Sequence, residues 1–106
     1  MVAMRDIEEL SRRIASEFRP ERIVLFGSHA RGDASPDSDV DLLVVVPHEG
    51  TAVEKSVEIR LKTRPEFPLD LIVRSPEKVQ ERLSLGDTFL KEVLERGKVL
   101  YEASDR

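Results

Sequence analysis

Two short apolar runs frame this chain: Arg22-Ile23-Val24-Leu25-Phe26, closed by Gly27, and Leu42-Leu43-Val44-Val45-Val46, opened by Asp41 and ended by Pro47. Both are too short for an amphipathic helix and rich in β-branched residues, which is the pattern of buried strands. A third run from Leu69 to Arg74 reads the same way, although Asp70 interrupts it. Between the runs the period changes. Ile7, Leu10, Ile14 and Phe18 recur at steps of three and four, predicting a helix from about Met4 to Arg19 that Pro20 ends. Ser28 to Gly32 reads as one or two helical turns, and Asp33 to Ser38 as a loop. Thr51 with Glu54 fits a capping box, and Val53, Val57 and Leu61 are expected to form the buried face of the helix behind it. Ser75-Pro76 opens a short helix to about Leu83, and Asp87 caps another with Leu90, Val93 and Leu94 as its apolar face. Gly97, placed at C′, ends that helix before a short strand from Lys98 to Tyr101, where Tyr101 is expected to pack. Strands alternating with helices imply one α/β or α+β domain spanning residues 1–106.

Composition removes several functions. Seventeen Lys and Arg against 21 Asp and Glu give a net charge of −4 with no basic tract, so the long-range attraction to a phosphate polymer is missing and direct nucleic-acid binding is not expected. The absence of Cys excludes thiolate metal sites, thiol nucleophiles and disulfides. No apolar run approaches the ~20 residues of a membrane span, and the start of the chain has no apolar leader segment, so no membrane partner and a cytoplasmic location are expected. In 106 residues little is left for a second, acceptor-binding domain. A second substrate must bind at the rim or arrive on a partner.

The chemistry lies where the first two strands begin and end. Gly27, lacking Cβ, lets the backbone turn sharply and approach a ligand. Ser28 then opens a helical turn whose free N–H groups and hydroxyl can bind phosphate oxygens. Ten residues on, Asp39 and Asp41 flank Val40, and the two-residue pleat places their carboxylates on one side, roughly 7 Å apart at the Cα atoms. Paired carboxylates suit Mg²⁺, which completes its shell with water and substrate phosphate. Two such ions about 3.5–4 Å apart would activate an attacking oxygen and stabilise a leaving one. Asp70, among apolar residues, would be costly without a partner, which a second metal or a nucleophile's proton would supply. Its other reading is an edge-strand charge that blocks aggregation. Arg31 either steers a triphosphate or pairs with Asp33 or Asp37.

Gly27-Ser28, Asp39-Val40-Asp41 and the later Asp70, within Phe26 to Asp33 and Ser38 to Leu42, resemble the three-carboxylate signature of the DNA polymerase β-like nucleotidyltransferase superfamily. With the short length, the chain looks like the minimal nucleotidyltransferases that act as antitoxins of HEPN toxins. The resemblance implies a mixed sheet of about four strands flanked by helices. It also implies that Asp39 and Asp41 bind Mg²⁺, or Mn²⁺ in its place, and that Asp70 completes the triad. Gly27, Ser28 and Arg31 would then hold ATP. The implied reaction is attack of an acceptor hydroxyl, commonly a tyrosine of the HEPN partner, on the α-phosphate, in a type VII toxin-antitoxin system. One departure is His29, where the family often has Arg.

Other readings weigh less. Gly27 to Gly32 has P-loop glycine spacing, yet Asp33-Ala34 stands where Lys-Ser/Thr is needed. Asp37-Ser-Asp39-Val-Asp41 starts like an EF-hand loop, but Leu42 takes the glycine position and His48 the final Glu position. His29 and His48 are expected at the surface. A site that binds nucleotide without turnover, neutralising its partner by occlusion, is the alternative function, and a small-molecule acceptor such as an aminoglycoside is the other.

Overall fold

The computed structural model describes residues 1–104. The elements run α1 (Met4–Phe18), β1 (Arg22–Phe26), α2 (Ser28–Arg31), β2 (Val40–Val45), α3 (Ala52–Thr63), β3 (Leu69–Arg74), α4 (Pro76–Ser84), α5 (Thr88–Arg96) and β4 (Lys98–Glu102). The strands form one mixed sheet in the order β3-β2-β1-β4. β1 is antiparallel to β2 and β4, whereas β2 is parallel to β3. The expected α+β class with a four-stranded mixed sheet is what the chain adopts.

The central strands read as near-continuous apolar runs because both faces are covered. On one face Ile23, Leu25, Leu42, Val44, Leu71 and Val73 pack under Ile7, Leu10 and Ile14 of α1 and Ile59 of α3. On the other, Val24, Leu43 and Val45 pack under Val79 of α4 and Leu90 and Val93 of α5. α1 follows its predicted stripe and ends at Arg19, whose left-handed φ of 49° precedes Pro20. Tyr101 packs against the first core, as expected.

Helix α3 departs from expectation. Its capping box is present, with Glu54 N donating to Thr51 Oγ1 and Thr51 N to Glu54 Oε1, each at 3.0 Å. Yet Val53, Val57 and Leu61 are 71%, 48% and 73% exposed, and Ile59 and Thr63 are the buried residues. Two rows spaced by four run along this helix, and apolar spacing alone selects the wrong one. The rotation is fixed by tertiary contacts. Ile59 fills the core, Arg60 Nη2 donates to the Leu69 carbonyl at 2.7 Å, and Arg13 Nη2 donates to the Thr63 carbonyl at 3.1 Å. The row of Lys55, Ile59 and Thr63 therefore faces inward, with the Lys55 ammonium 5.0 Å from the Phe18 ring centre.

Gly97 also differs from expectation. It is extended, at φ −73° and ψ 168°, so no left-handed cap requires a glycine there. A Cβ at this position would come within 2.5 Å of Val24 Cγ1 and of the Val93 carbonyl oxygen, so close packing of α5 on β1 explains the residue. Ile59→Ala is expected to lower unfolding free energy by about 2–4 kcal/mol through an unfilled core volume. Val57→Ala, on the exposed row, should change it by less than about 0.5 kcal/mol. Urea denaturation of both variants checks the rotation of α3.

Candidate active site

Strand β2 brings the predicted residues together. Its antiparallel register sets Asp41 opposite Phe26, the residue before Gly27, and its parallel register sets Asp41 beside Asp70. Asp41 shares a face with Leu43 and Val45, and Asp70 shares that face through Ile72, so both carboxylates lie on the α4/α5 side of the sheet. Asp39 lies one residue outside the strand rather than at its start. A turn delivers it there, in which Ser35 N donates to Ser38 Oγ at 2.9 Å and Ser38 N to the Ser35 carbonyl at 3.0 Å. Val40 N donates to the Pro68 carbonyl at 2.9 Å and locks the beginning of β2 to that of β3.

Gly27 adopts φ 77° and ψ −157°, a conformation that L side chains rarely reach. A Cβ there would overlap Asp41 Oδ2, so the glycine is required by the turn and by the carboxylate alike. The N–H groups of Ala30 and Arg31 donate back to the Gly27 carbonyl at 3.1 Å. The first N–H groups of such a turn, at Ser28 and His29, have no intrahelical acceptor.

Asp41 is half-buried, and Asp39 and Asp70 are exposed. The expectation that Asp70 sits costly among apolar side chains is thus corrected: β3 is an edge strand, and its carboxylate reaches water at the open end of the sheet. The Asp41 carboxyl is held above its ordinary value of 3.8, first by burial and then by the charges of Asp70 and Asp39. A hydrogen bond with Asp70 raises it further, and the His29 imidazole pulls it down. Asp41 and Asp70 are partners in the parallel register of β2 and β3. Among the described residues no three acidic or His side chains close into a metal-ligand set, although the charges of both Asp39 and Asp70 reach Asp41. None of the ion pairs among the described residues involves these three aspartates. Crowded carboxylates lacking a cationic partner are the donors that suit a hard divalent ion whose shell is finished by water and phosphate.

Two more residues belong to the description. His29, expected at the surface, is only 9% exposed, with Nε2 3.4 Å from the Ser38 carbonyl. It bridges the Gly27 turn and the loop carrying Asp39, and nothing in its spacing distinguishes it from a surface residue. Arg31 Nε lies 3.3 Å from Asp33 Oδ2, a pairing on the surface where both side chains are over 60% exposed. That contact is weak in water. Arg31 also lines a cavity of about 560 Å³ with Gly27, a cavity that none of the three aspartates borders. A roomier cavity of about 680 Å³, bordered by Asp6, Arg13 and Phe67, includes none of the predicted site residues.

Fold and site together define a nucleotide-transferring enzyme. The chain matches the nucleotidyltransferase domain family over residues 7–101 and belongs to that family. A Methanocaldococcus jannaschii protein named "Putative protein adenylyltransferase MJ0604" is 33% identical over 98 residues, covering 90% of this chain and 94% of that one. A second from the same organism, "Putative protein adenylyltransferase MJ0141", is 36% identical over 73 residues, 69% of this chain and 71% of that one. Among crystal structures, one described as a "putative nucleotidyltransferase from Sulfolobus solfataricus" has a TM-score of 0.56 at 27% identity, covering 74% of this chain and 71% of its own. Another, described as "the toxin-antitoxin with AMP-PNP", has a TM-score of 0.60 at 22% identity, covering 92% and 74%, and shows the shared fold.

The raised Asp41 value has a defined consequence for stability. A group whose folded-state value exceeds its unfolded one stabilises fully below the unfolded value, and that contribution is lost as pH rises through the folded one. In chelator-treated protein, Asp41→Asn should match the unaltered chain near pH 3.5 and equal or exceed it in stability at pH 7. Paired thermal melts at the two pH values test this, and an Asp41→Asn variant less stable at pH 7 than at pH 3.5, relative to the unaltered chain, would contradict it.

Proposed function

We propose that this enzyme transfers AMP from ATP to a hydroxyl group, a tyrosine, on a partner protein of the HEPN toxin class, and so serves as an antitoxin. The observation that carries the reading is the junction of Gly27, Asp41 and Asp70, where a turn open to phosphate meets crowded carboxylates. The two relatives named as protein adenylyltransferases support a protein acceptor, and the net charge of −4 argues against a nucleic-acid one. The partner class rests on the family resemblance.

Asp39 and Asp41, with Asp70 beside them, would hold Mg²⁺ or Mn²⁺. When bound, the divalent ion supplies neutralisation of phosphate charge. Ser28 and the first N–H groups of α2 hold phosphate oxygens, and Arg31 adds a guanidinium on the same side. Asp70, exposed on edge strand β3, would accept the acceptor proton. The new bond joins the acceptor oxygen to the α-phosphorus, and the bond to the β-phosphate breaks, releasing pyrophosphate. Most of the rate gain in this reading comes from alignment and from fixed charges around the phosphates.

Intact-mass spectrometry of a co-expressed HEPN-type partner, after incubation with this chain, ATP and Mg²⁺, should show added adenylate. Asp39→Asn should reduce the rate by roughly a hundredfold or more. Tight binding without any adduct would sink the transfer reading and favour neutralisation by occlusion. A small-molecule acceptor would instead appear as adenylated low-mass product with the partner unmodified.

A further inference from the structure

Of the three aspartates, Asp39 alone is held by no strand. It precedes β2, outside both ladders, and the loop that carries it is fastened to the rest of the chain at its two ends. At the near end Asp33 N donates to the Ser28 carbonyl at 3.1 Å, and at the far end Val40 N donates to the Pro68 carbonyl at 2.9 Å. Between those points Ser35 and Ser38 bond to each other. The Arg31–Asp33 pair lies in water and restrains little. Among the described residues one polar contact reaches inside the loop from outside it: His29 Nε2 lies 3.4 Å from the carbonyl of Ser38, the residue next to Asp39.

The other end of that contact is registered against Asp41. α2 follows Gly27, whose missing Cβ makes room for Asp41 Oδ2, and the Gly27 carbonyl accepts from Ala30 N and Arg31 N at 3.1 Å. The turn bearing His29 therefore keeps a fixed place relative to the second carboxylate. The imidazole itself is buried, and from there its charge reaches Asp41. A carbonyl can only accept, so Nε2 carries the proton and donates to Ser38. Among the described residues the Ser38 carbonyl has no other donor. One ring thus links the turn that seats Asp41 to the backbone that ends at Asp39.

We propose that His29 is a positioning residue: by holding the Ser38 carbonyl it sets the Asp39 carboxylate toward Asp41, so that the two can grip one divalent cation. The inference rests on the reading of these aspartates as ion ligands, and it gives a task to a residue that acts through Asp39. Without the tie the loop stays fastened at Asp33 and Val40, but Asp39 turns freely about the Ser38 backbone and must be ordered again each time an ion binds. Asp41 and Asp70 keep their places through the ladders, so loss of His29 weakens the grip without abolishing it.

Calorimetric titration of the full chain with Mn²⁺ alone tests this with neither a partner nor turnover. His29→Ala should weaken Mn²⁺ binding by about 10-fold, as loss of a group that orients a metal ligand does. His29→Phe, which keeps a ring but no donor, should lose as much and serves where the alanine variant is unstable. His29→Gln, which restores an N–H, should recover part of the loss. Because His29 acts through Asp39, adding His29→Ala to Asp39→Asn should cost no more than about twofold beyond Asp39→Asn alone. Hydrogen exchange of the metal-free chain should quicken at the Ser35 and Ser38 amides in the alanine and phenylalanine variants while β1 and β2 stay protected, which separates local loosening from unfolding. Full Mn²⁺ affinity in His29→Phe, or an equal loss from His29→Ala with and without the Asp39 carboxylate, would overturn the inference. An unaltered chain that binds no Mn²⁺, or binds it as well after Asp39→Asn, would defeat the ion reading of Asp39 and the inference with it, a result distinct from either.

Discussion

Every feature of the site depends on β2 being paired on both sides, antiparallel to β1 and parallel to β3. The strand is apolar and buried from Leu42 onward, so carboxylates are tolerated only at its first turn of pleat, where the sheet opens. The antiparallel ladder brings the Gly27 turn to that end, and the parallel ladder brings Asp70. A slip of one residue in either ladder would turn the acids to the opposite face and bury them under α1 and α3. The hydrogen bond from Val40 N to the Pro68 carbonyl holds the parallel register at the point where slippage would matter most.

The parts of this arrangement that were legible in the sequence are those set by local chemistry. Strand runs, caps and the Gly27 turn depend on residues near one another, and Thr51 with Glu54 or Ser75 with Pro76 can act only in a few ways. The spacing of Gly27-Ser28 and Asp39-Val40-Asp41 was likewise readable, because a turn and a strand end are local objects. What failed needed partners distant in sequence. Both rows of α3 have a step of four, and Arg13 and Leu69, 50 and 9 residues from their partners, decide which one turns inward. Strand order was not readable either, so Asp70 looked buried until β3 proved to be an edge. His29 resembled an ordinary surface residue because its burial depends on the Ser38 loop folding back over α2.

The exposed row of Val53, Val57 and Leu61 shows the same limit from another side. A stripe that reads as core and lies in water belongs to a helix whose inward face is set by Ile59 in the core together with polar ties at its margin. Arg60 and Arg13 each satisfy a backbone carbonyl at the margin of the core, and such groups are costly to bury without a donor.

The carboxylate centre places function above stability. Burial and two neighbouring charges press Asp41 toward its protonated form, and His29 offsets them only in part. A chain built for stability alone would place an amide or an apolar residue at position 41, since nothing in the strand requires an acid there. Gly27 adds a second sacrifice, because its left-handed turn gives up the side chain that would otherwise pack against β2. Both become reasonable together once an ion and a polyphosphate are the intended occupants. In the proposed reading an ion would relieve the crowding at Asp41 and Asp70, and phosphates would occupy the space beside Gly27. Local disagreement between sequence rules and stability is then concentrated where a ligand resolves it, which is how active sites ordinarily depart from the logic of the surrounding fold.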